Sequence, residues 1–170
     1  MFRSLSFIHL FVILSVGYIG GALLFREVPQ IASEKWIGFF DPRVLSISEG
    51  AFRMPLITTF LFFLVAFGLS VNNKTRHAVL FIGAVKCVLF GLSSSYLLAT
   101  GMNMIAYSVW WFPFQLLSCL LFLVYCIVLS PPYFNRISKR QRNLKAIPYL
   151  LAFYSIILLI EMTIYNLVVK

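Results

Sequence analysis

Long apolar runs separated by short polar links make up most of this 170-residue chain. A helix needs about 20 apolar residues to cross the roughly 30 Å of hydrocarbon in a bilayer. Runs of about this length occupy residues 5–25, 55–71, 78–100, 105–130 and 147–169, of which 55–71 is the shortest. Their helical period is weak because most faces are apolar, which is typical of helices packed in lipid. The pattern predicts an all-α, polytopic membrane helix bundle with about five transmembrane helices.

Composition agrees with this interpretation. Hydrophobic residues make up 61% of the chain and charged residues only 11%, far from the balance of a soluble domain. The first run lacks a convincing small-residue cleavage site before Arg26, which favours a retained anchor over a signal peptide. The whole chain, residues 1–170, is therefore interpreted as a single integral membrane domain.

Basic residues predict the orientation of the bundle. They concentrate in two links, which carry Lys74 and Arg76, and Arg136, Lys139, Arg140, Arg142 and Lys145. Links rich in lysine and arginine face the cytoplasm by the positive-inside rule. Five spans then place the amino terminus inside and the carboxyl terminus outside.

Residues 26–54 form the first outward segment of this topology. Its bases and acids balance: Arg26, Lys35, Arg43 and Arg53 against Glu27, Glu34, Asp41 and Glu49. Aromatic residues such as Trp36 and Phe40 predict that part of the segment lies at the membrane interface and caps the bundle. We favour an interfacial helix with paired surface charges; contact of the acids with a cationic partner, or acid/base chemistry, is the alternative.

The net charge of +9 does not indicate nucleic-acid binding, because the densest basic run lies in a short link between two membrane segments. The basic residues Arg136, Lys139, Arg140 and Arg142 are instead predicted to dock a cytoplasmic partner or anionic lipid. No phosphate-binding loop of the GxxxxGK[ST] type occurs, so nucleotide hydrolysis would belong to another subunit.

Metal and cofactor binding are not predicted. The three cysteines, Cys87, Cys119 and Cys126, lie inside apolar runs and lack CxxC spacing. His9 and His77 are far apart and belong to no cluster with metal-site spacing.

Glu161 and Lys86 are the ionisable residues that the sequence places well inside apolar runs. A carboxyl group near the bilayer centre costs roughly 2.5 to 3.5 kcal/mol on insertion scales, so it implies a partner, a proton or a task. At 1.5 Å per residue, Gln115 lies at the depth of Glu161, and Ser93 and Ser94 lie within a few residues of it. Lys86 is roughly 8 Å nearer the cytoplasm, so Gln115 and a serine are predicted to be easier partners for the carboxyl.

Two candidate catalytic sets follow from these positions. One pairs Ser93 or Ser94 with Lys86, and the other pairs Glu161 with Gln115. Burial in apolar surroundings favours the neutral forms of lysine and carboxyl groups, so both sets are chemically feasible. Spacing alone specifies neither set, and a structural hydrogen bond between helices is the alternative for each residue.

Small residues and one proline predict how the helices pack. Gly17 and Gly21 form a small-xxx-small pair that allows another helix to approach closely, and Gly91 opens space in the third run. Pro113 removes one helical hydrogen bond and leaves the carbonyl of Val109 in need of another donor.

Several of these motifs together resemble the stage II sporulation protein M family of bacterial membrane proteins. They are the Gly-rich first run, the long outward segment, VKCVLFGLSSSY, FPFQLL and the Ile-Glu pair of LLIEMTIY. The resemblance covers most of the chain and rests chiefly on Ile160 and Glu161. Gln115 stands where many members are expected to have histidine after the proline.

The resemblance implies a bacterial cytoplasmic membrane protein, similar in size to compact members associated with circular bacteriocins. It implies maturation and export of a hydrophobic, cationic precursor peptide together with a separate ABC-type ATPase and other membrane subunits. The residues expected to bind the peptide are Glu161, Gln115, Ser94 and Tyr96. A leader-cleaving or cyclising intramembrane enzyme and a scaffold for peptidoglycan hydrolases remain alternatives, and homo-oligomerisation is left open.

Overall fold

The chain folds into a bundle of helices in a computed structural model that describes residues 2–41, 53–72, 75, 77–101, 103–130 and 146–168. The helices are α1 (Phe2–Glu27), α2 (Gln30–Phe40), α3 (Arg53–Val71), α4 (Ala78–Ala99), a π-helical segment (Ala106–Trp111), α5 (Phe112–Leu129) and α6 (Ala146–Val168). These ranges contain no strand. The predicted all-α class is confirmed.

Within the described ranges, four stretches are long and apolar enough to cross a membrane: Ile8–Glu27, Ala78–Ala99, Ala106–Leu129 and Ala146–Tyr165. The apolar part of α3, Leu56–Val71, is shorter. A helix satisfies its own backbone hydrogen bonds, so it can present apolar side chains outward to lipid. Large apolar side chains such as Phe60, Phe81 and Leu159 are exposed on the outside of the bundle.

Glycines bring α1 and α4 into close parallel contact. A Cβ atom on Gly17 would lie 2.6 Å from Cys87 Cβ, and one on Gly21 would overlap the carbonyl oxygen of Val88. From the other side, a Cβ on Gly91 would overlap the carbonyl oxygen of Tyr18. Each glycine therefore faces the backbone or Cβ of the opposite helix, and the predicted close approach at Gly17 and Gly21 is confirmed.

The later helices alternate in direction. Ser94 near the end of α4 bonds Tyr107 near the start of the next span, whereas Lys86, two turns earlier, bonds Ser118. The two helices are therefore antiparallel.

Contacts of α6 with this span show the same alternation. The Tyr165 ring packs on Trp110 and the Tyr154 hydroxyl bonds Ser118, so α6 runs opposite to α5 and parallel to α4.

The short helix α2 enters the bundle from the same end as the carboxyl terminus of α1. Its Glu34 interacts with Tyr96 in the last turn of α4, whereas Phe40, two turns further on, packs against Phe62 of α3. Residue Asp41 directly follows α2 and contacts α5 at Gln115. Because Gln115 lies nine residues after the start of its span, α2 ends roughly 13 Å below that end of the bundle.

The predicted docking residues Arg136, Lys139, Arg140 and Arg142 lie outside the described residues.

Candidate functional site

Asp41 is buried at the inner end of α2, with 1% of its surface exposed. One carboxylate oxygen, Oδ2, accepts hydrogen bonds from Trp111 Nε1 at 3.3 Å and from Gln115 Nε2 at 3.1 Å. Both donors lie on one face of the span that contains α5, four residues apart. The expectation that the acids of residues 26–54 form paired surface charges was therefore wrong for Asp41.

The buried end of α2 has a hydrogen-bond partner from α3. The last carbonyl groups of a helix lack intrahelical donors and carry a partial negative charge. Thr58 Oγ1 donates to the carbonyl oxygen of Phe40 at 3.2 Å, and the Asp41 N–H donates to Ile37 at 2.7 Å. This arrangement allows a helix to end inside an apolar bundle without stranding its polar backbone.

Lys86 of α4 is also buried, with 1% of its surface exposed. Its Nζ donates a hydrogen bond to Ser118 Oγ of α5 at 3.1 Å. Ser118 is 3.0 Å from the Tyr154 hydroxyl of α6, which donates to Thr59 of α3 over a long 3.4 Å. A chain of side chains thus joins four helices around one basic group.

The two buried charges lie along the same face of α5. Trp111, Gln115 and Ser118 recur at spacings of four and three residues, which places their side chains on one helical stripe. The first two donate to Asp41 and the third accepts from Lys86. Because Gln115 and Ser118 differ by less than one turn, the acid and the base lie at adjacent levels of the bundle.

The serines of α4 do not pair with Lys86 as predicted. Among the residues that the structure describes, the buried Ser93 hydroxyl has no hydrogen-bond partner, and Lys86 bonds Ser118 instead. Ser94 bonds the hydroxyls of Tyr18 at 2.8 Å and Tyr107 at 2.6 Å. The proposed Ser93 and Lys86 set is therefore not assembled, because seven residues along α4 separate the two side chains.

Ser94 and Tyr96 lie nearer the end of the bundle than the buried charges do. Ser94 ties α1 to the π-helical segment, and Tyr96 interacts with Glu34 of α2 and packs edge-on against Phe25 at 6.2 Å. These contacts hold α1, α2 and α4 together where α2 enters. Binding of a peptide by Ser94 and Tyr96 stays a prediction.

Glu161 is buried on α6 with 4% of its surface exposed. Its neighbours one turn away on the same face, Ile157 and Tyr165, pack into the apolar cluster that contains Trp110. The Tyr165 and Trp110 contact places Glu161 at a depth similar to that of Gln115, as the residue counts predicted. The hydrogen bond described for the Gln115 amide goes to Asp41, so pairing of Gln115 with Glu161 stays a prediction.

The turn before Pro113 is π-helical, so each carbonyl accepts a hydrogen bond from the N–H group five residues later. The Phe112 N–H, for example, donates to the carbonyl oxygen of Tyr107. A proline cannot supply an N–H, and a wider turn before it rearranges the donors available to the carbonyls. The wide turn also turns two successive residues, Trp110 and Trp111, into the bundle, where both are buried. Trp111 can then reach Asp41.

A buried acid, Asp41, and a buried base, Lys86, at adjacent levels can exchange a proton, bind a cation or anchor a moving helix, and Glu161 adds a second buried carboxyl at a similar depth. The described residues include no cluster of three or more metal-binding side chains. The sequence did not predict that Asp41 is buried, because this residue lies between two apolar runs. Its position directly after the aromatic pair Phe39 and Phe40 was the available sign of burial.

In the part of the chain that the structure describes, the fold and the site define an all-helical protein with apolar helices long enough to span a membrane and with buried acidic and basic side chains in its interior. No protein-family model, no curated protein and no solved structure matches the chain.

Proposed function

We propose that this protein is the membrane component of a bacterial complex that matures and exports a hydrophobic, cationic peptide of the circular bacteriocin type. The observation that carries the proposal is the enclosed carboxylate of Asp41 at the inner end of α2. A helix carboxyl end has a partial charge of about −0.5, to which the carboxylate adds a full charge. Such an end attracts a cationic group that enters along α2.

The apolar surroundings suit the rest of such a peptide. Asp41 lies among Ile37, Phe40 and Trp111, whose side chains are buried. A lysine of the peptide would bind the Asp41 carboxylate, while the apolar residues next to that lysine would pack against the buried side chains in place of contacts between helices. Glu161, at the depth of Gln115, supplies a second buried carboxyl, and the sequence resemblance supports the same class of substrate.

We also propose five membrane crossings, with the amino terminus in the cytoplasm and the carboxyl terminus outside. Because α1 and α4 run in the same direction, the chain between them has to return across the bundle. Helix α3 runs that way, parallel to α5, because its Thr59 shares the Tyr154 contact of Ser118 while its Phe63 accepts a hydrogen bond from Tyr125 further along α5. The basic links at 72–77 and 131–145 then fall on one side, which is the cytoplasmic side by the positive-inside rule. The topology can be tested with a reporter enzyme that is active only on the outer side of the membrane. Fused after Lys170, it should be active.

Transport can be tested by reconstituting the protein and its partner ATPase in proteoliposomes with the precursor peptide encoded beside its gene. Asp41→Asn and Glu161→Gln should each abolish ATP-dependent peptide movement while leaving expression and assembly intact. Glu27→Gln, at the exposed end of α1, is the matched control and should transport normally. Full transport by both core variants would refute the proposal.

A second candidate is an intramembrane enzyme, favoured by the bond of Lys86 Nζ to Ser118 Oγ. With Lys86 neutral, the amine would accept the Ser118 proton as the oxygen attacks a peptide carbonyl. The proton would pass to the core-peptide amine that departs, leaving the leader as an ester on Ser118, and water would hydrolyse that ester to release the leader acid and the Ser118 hydroxyl. Ring closure would then join the core's new amino terminus to its carboxyl terminus with loss of one water, a condensation for which ATP from the partner subunit would be the co-reactant.

Mass spectrometry of the peptide separates these functions. Loss of the leader with ring closure, absent in Ser118→Ala and retained in the exposed Ser155→Ala control, would support the enzyme. An unchanged peptide that moves only with ATP would support export alone. Disassembly of the complex by Glu161→Gln, with cell-wall hydrolases as the co-purified partners, would instead indicate a scaffold.

A further inference from the structure

The Lys86 ammonium group is surrounded by aromatic rings. Its Nζ lies 4.8 Å from the ring centroid of Phe122, 5.6 Å from that of Tyr154, and 5.9 Å from those of Phe62 and Phe63. Ring faces attract cations through their quadrupole when the centroid is within about 6 Å. Together with the Ser118 hydroxyl, the four rings form an aromatic cage around the nitrogen.

The cage is built without Lys86. Its rings come from α3, α5 and α6, whereas Lys86 projects from α4. The rings also support one another: Phe63 packs edge-on against Phe122 and against Tyr154, each at 5.1 Å. Removal of the lysine side chain would therefore leave a preformed cavity lined by ring faces and one hydroxyl.

We propose that this cage is a binding site for primary alkylammonium groups and that Lys86 is its tethered occupant. The hydroxyl of Ser118 is the described acceptor for Nζ, which suits a compact ammonium. A guanidinium has five N–H donors and would leave most of them unpaired in such a cage. The ligand class is thus a lysine-type side chain or a free amino terminus.

Only the source of the ammonium group rests on the proposed function: under that function, the exported peptide would supply it. Asp41 contacts α5 at Gln115, at the level adjacent to Ser118, and its carboxylate is a second possible partner for the flexible Lys86 side chain. Movement of Lys86 towards Asp41 would free the cage for the amine of the peptide.

The test uses Lys86→Ala in detergent micelles with n-propylammonium, which replaces the atoms removed from the side chain. Binding is followed by calorimetry and by the shift of the thermal unfolding midpoint. We expect Lys86→Ala to bind propylammonium saturably, with a rise in the unfolding midpoint. Adding Phe122→Leu to this variant should weaken the binding at least about tenfold. Wild type, with its cage filled, should bind at least about tenfold more weakly than Lys86→Ala.

Two controls make the result decisive. The neutral 1-propanol should not reproduce the stabilisation; equal stabilisation by the alcohol would mean a plain apolar cavity and would overturn the proposal. If Lys86→Ala folds only when propylammonium is present, that rescue supports the site, and failure of propylammonium either to bind or to rescue refutes it. Neither result depends on a peptide, so failure of the cage and failure of export are distinguishable.

Discussion

Adding one methyl group to Gly21 should weaken the packing of α1 on α4, whereas the same change at the adjacent Gly20 should not. A Cβ on Gly21 would overlap the carbonyl oxygen of Val88 and lie 2.8 Å from the backbone nitrogen of Leu92. A Cβ on Gly20 would meet no atom within 4 Å. Both residues lie in the same turn of α1, so the pair differs mainly in the contact.

The expected magnitudes follow from two opposing terms. Alanine is favoured over glycine inside a helix by roughly 0.5–1 kcal/mol, and this gain applies to both positions. Overpacking a tight contact costs about 1–3 kcal/mol and applies only to Gly21, because backbone atoms of α4 cannot rotate away as a side chain can. Gly21→Ala should therefore be about 1–3 kcal/mol less stable than Gly20→Ala.

Reversible unfolding in mixed micelles of a mild detergent and dodecyl sulfate, followed by tryptophan fluorescence, measures this difference. Gly91→Ala tests the same contact from α4, because its Cβ would overlap the carbonyl oxygen of Tyr18. If Gly20→Ala and Gly21→Ala unfold at the same detergent fraction, α1 does not pack against α4 through Gly21.

Three further predictions concern the buried polar groups and use the same unfolding assay. Ser118→Ala should destabilise the bundle by about 1–3 kcal/mol because Lys86 loses its hydroxyl partner, and an unchanged midpoint would show that the rings alone satisfy the ammonium. The isosteric Thr58→Val should cost about 1 kcal/mol by removing the bond to the Phe40 carbonyl, with increased hydrogen exchange at the end of α2; exchange that does not change would count against the capping role. Asp41→Leu should cost about 2–4 kcal/mol because two buried N–H donors lose their acceptor, and a more stable variant would contradict the hydrogen bonds described for that carboxylate.

Residue patterns in the chain were sufficient for the class of fold and for part of the packing. Apolar runs of bilayer length predict helices, because a backbone in lipid has few other ways to satisfy its hydrogen bonds. The spacing of Gly17 and Gly21 predicts a close helix contact, because residues four apart share a face. The same counting placed Glu161 and Gln115 at one depth.

The partners of the buried charges were not predictable in this way. The runs are apolar on nearly every face, so they contain little information about which face of one helix meets which face of another. Ser93 lies on nearly the same face of α4 as Lys86, yet the lysine bonds Ser118 from a neighbouring helix. Only the tertiary structure decides that choice, because it depends on how α4 and α5 are rotated and offset.

Asp41 shows the same division most clearly. By itself, the sequence determined that a charge-balanced, aromatic segment follows α1, and it placed Asp41 in a link where acids are normally solvated. The tertiary structure decided that α2 turns into the bundle and carries this acid to Trp111 and Gln115. The physical reason is that burial is a property of what surrounds a residue, and the two hydrogen-bond donors to the Asp41 carboxylate come from residues 70 or more positions away in the chain.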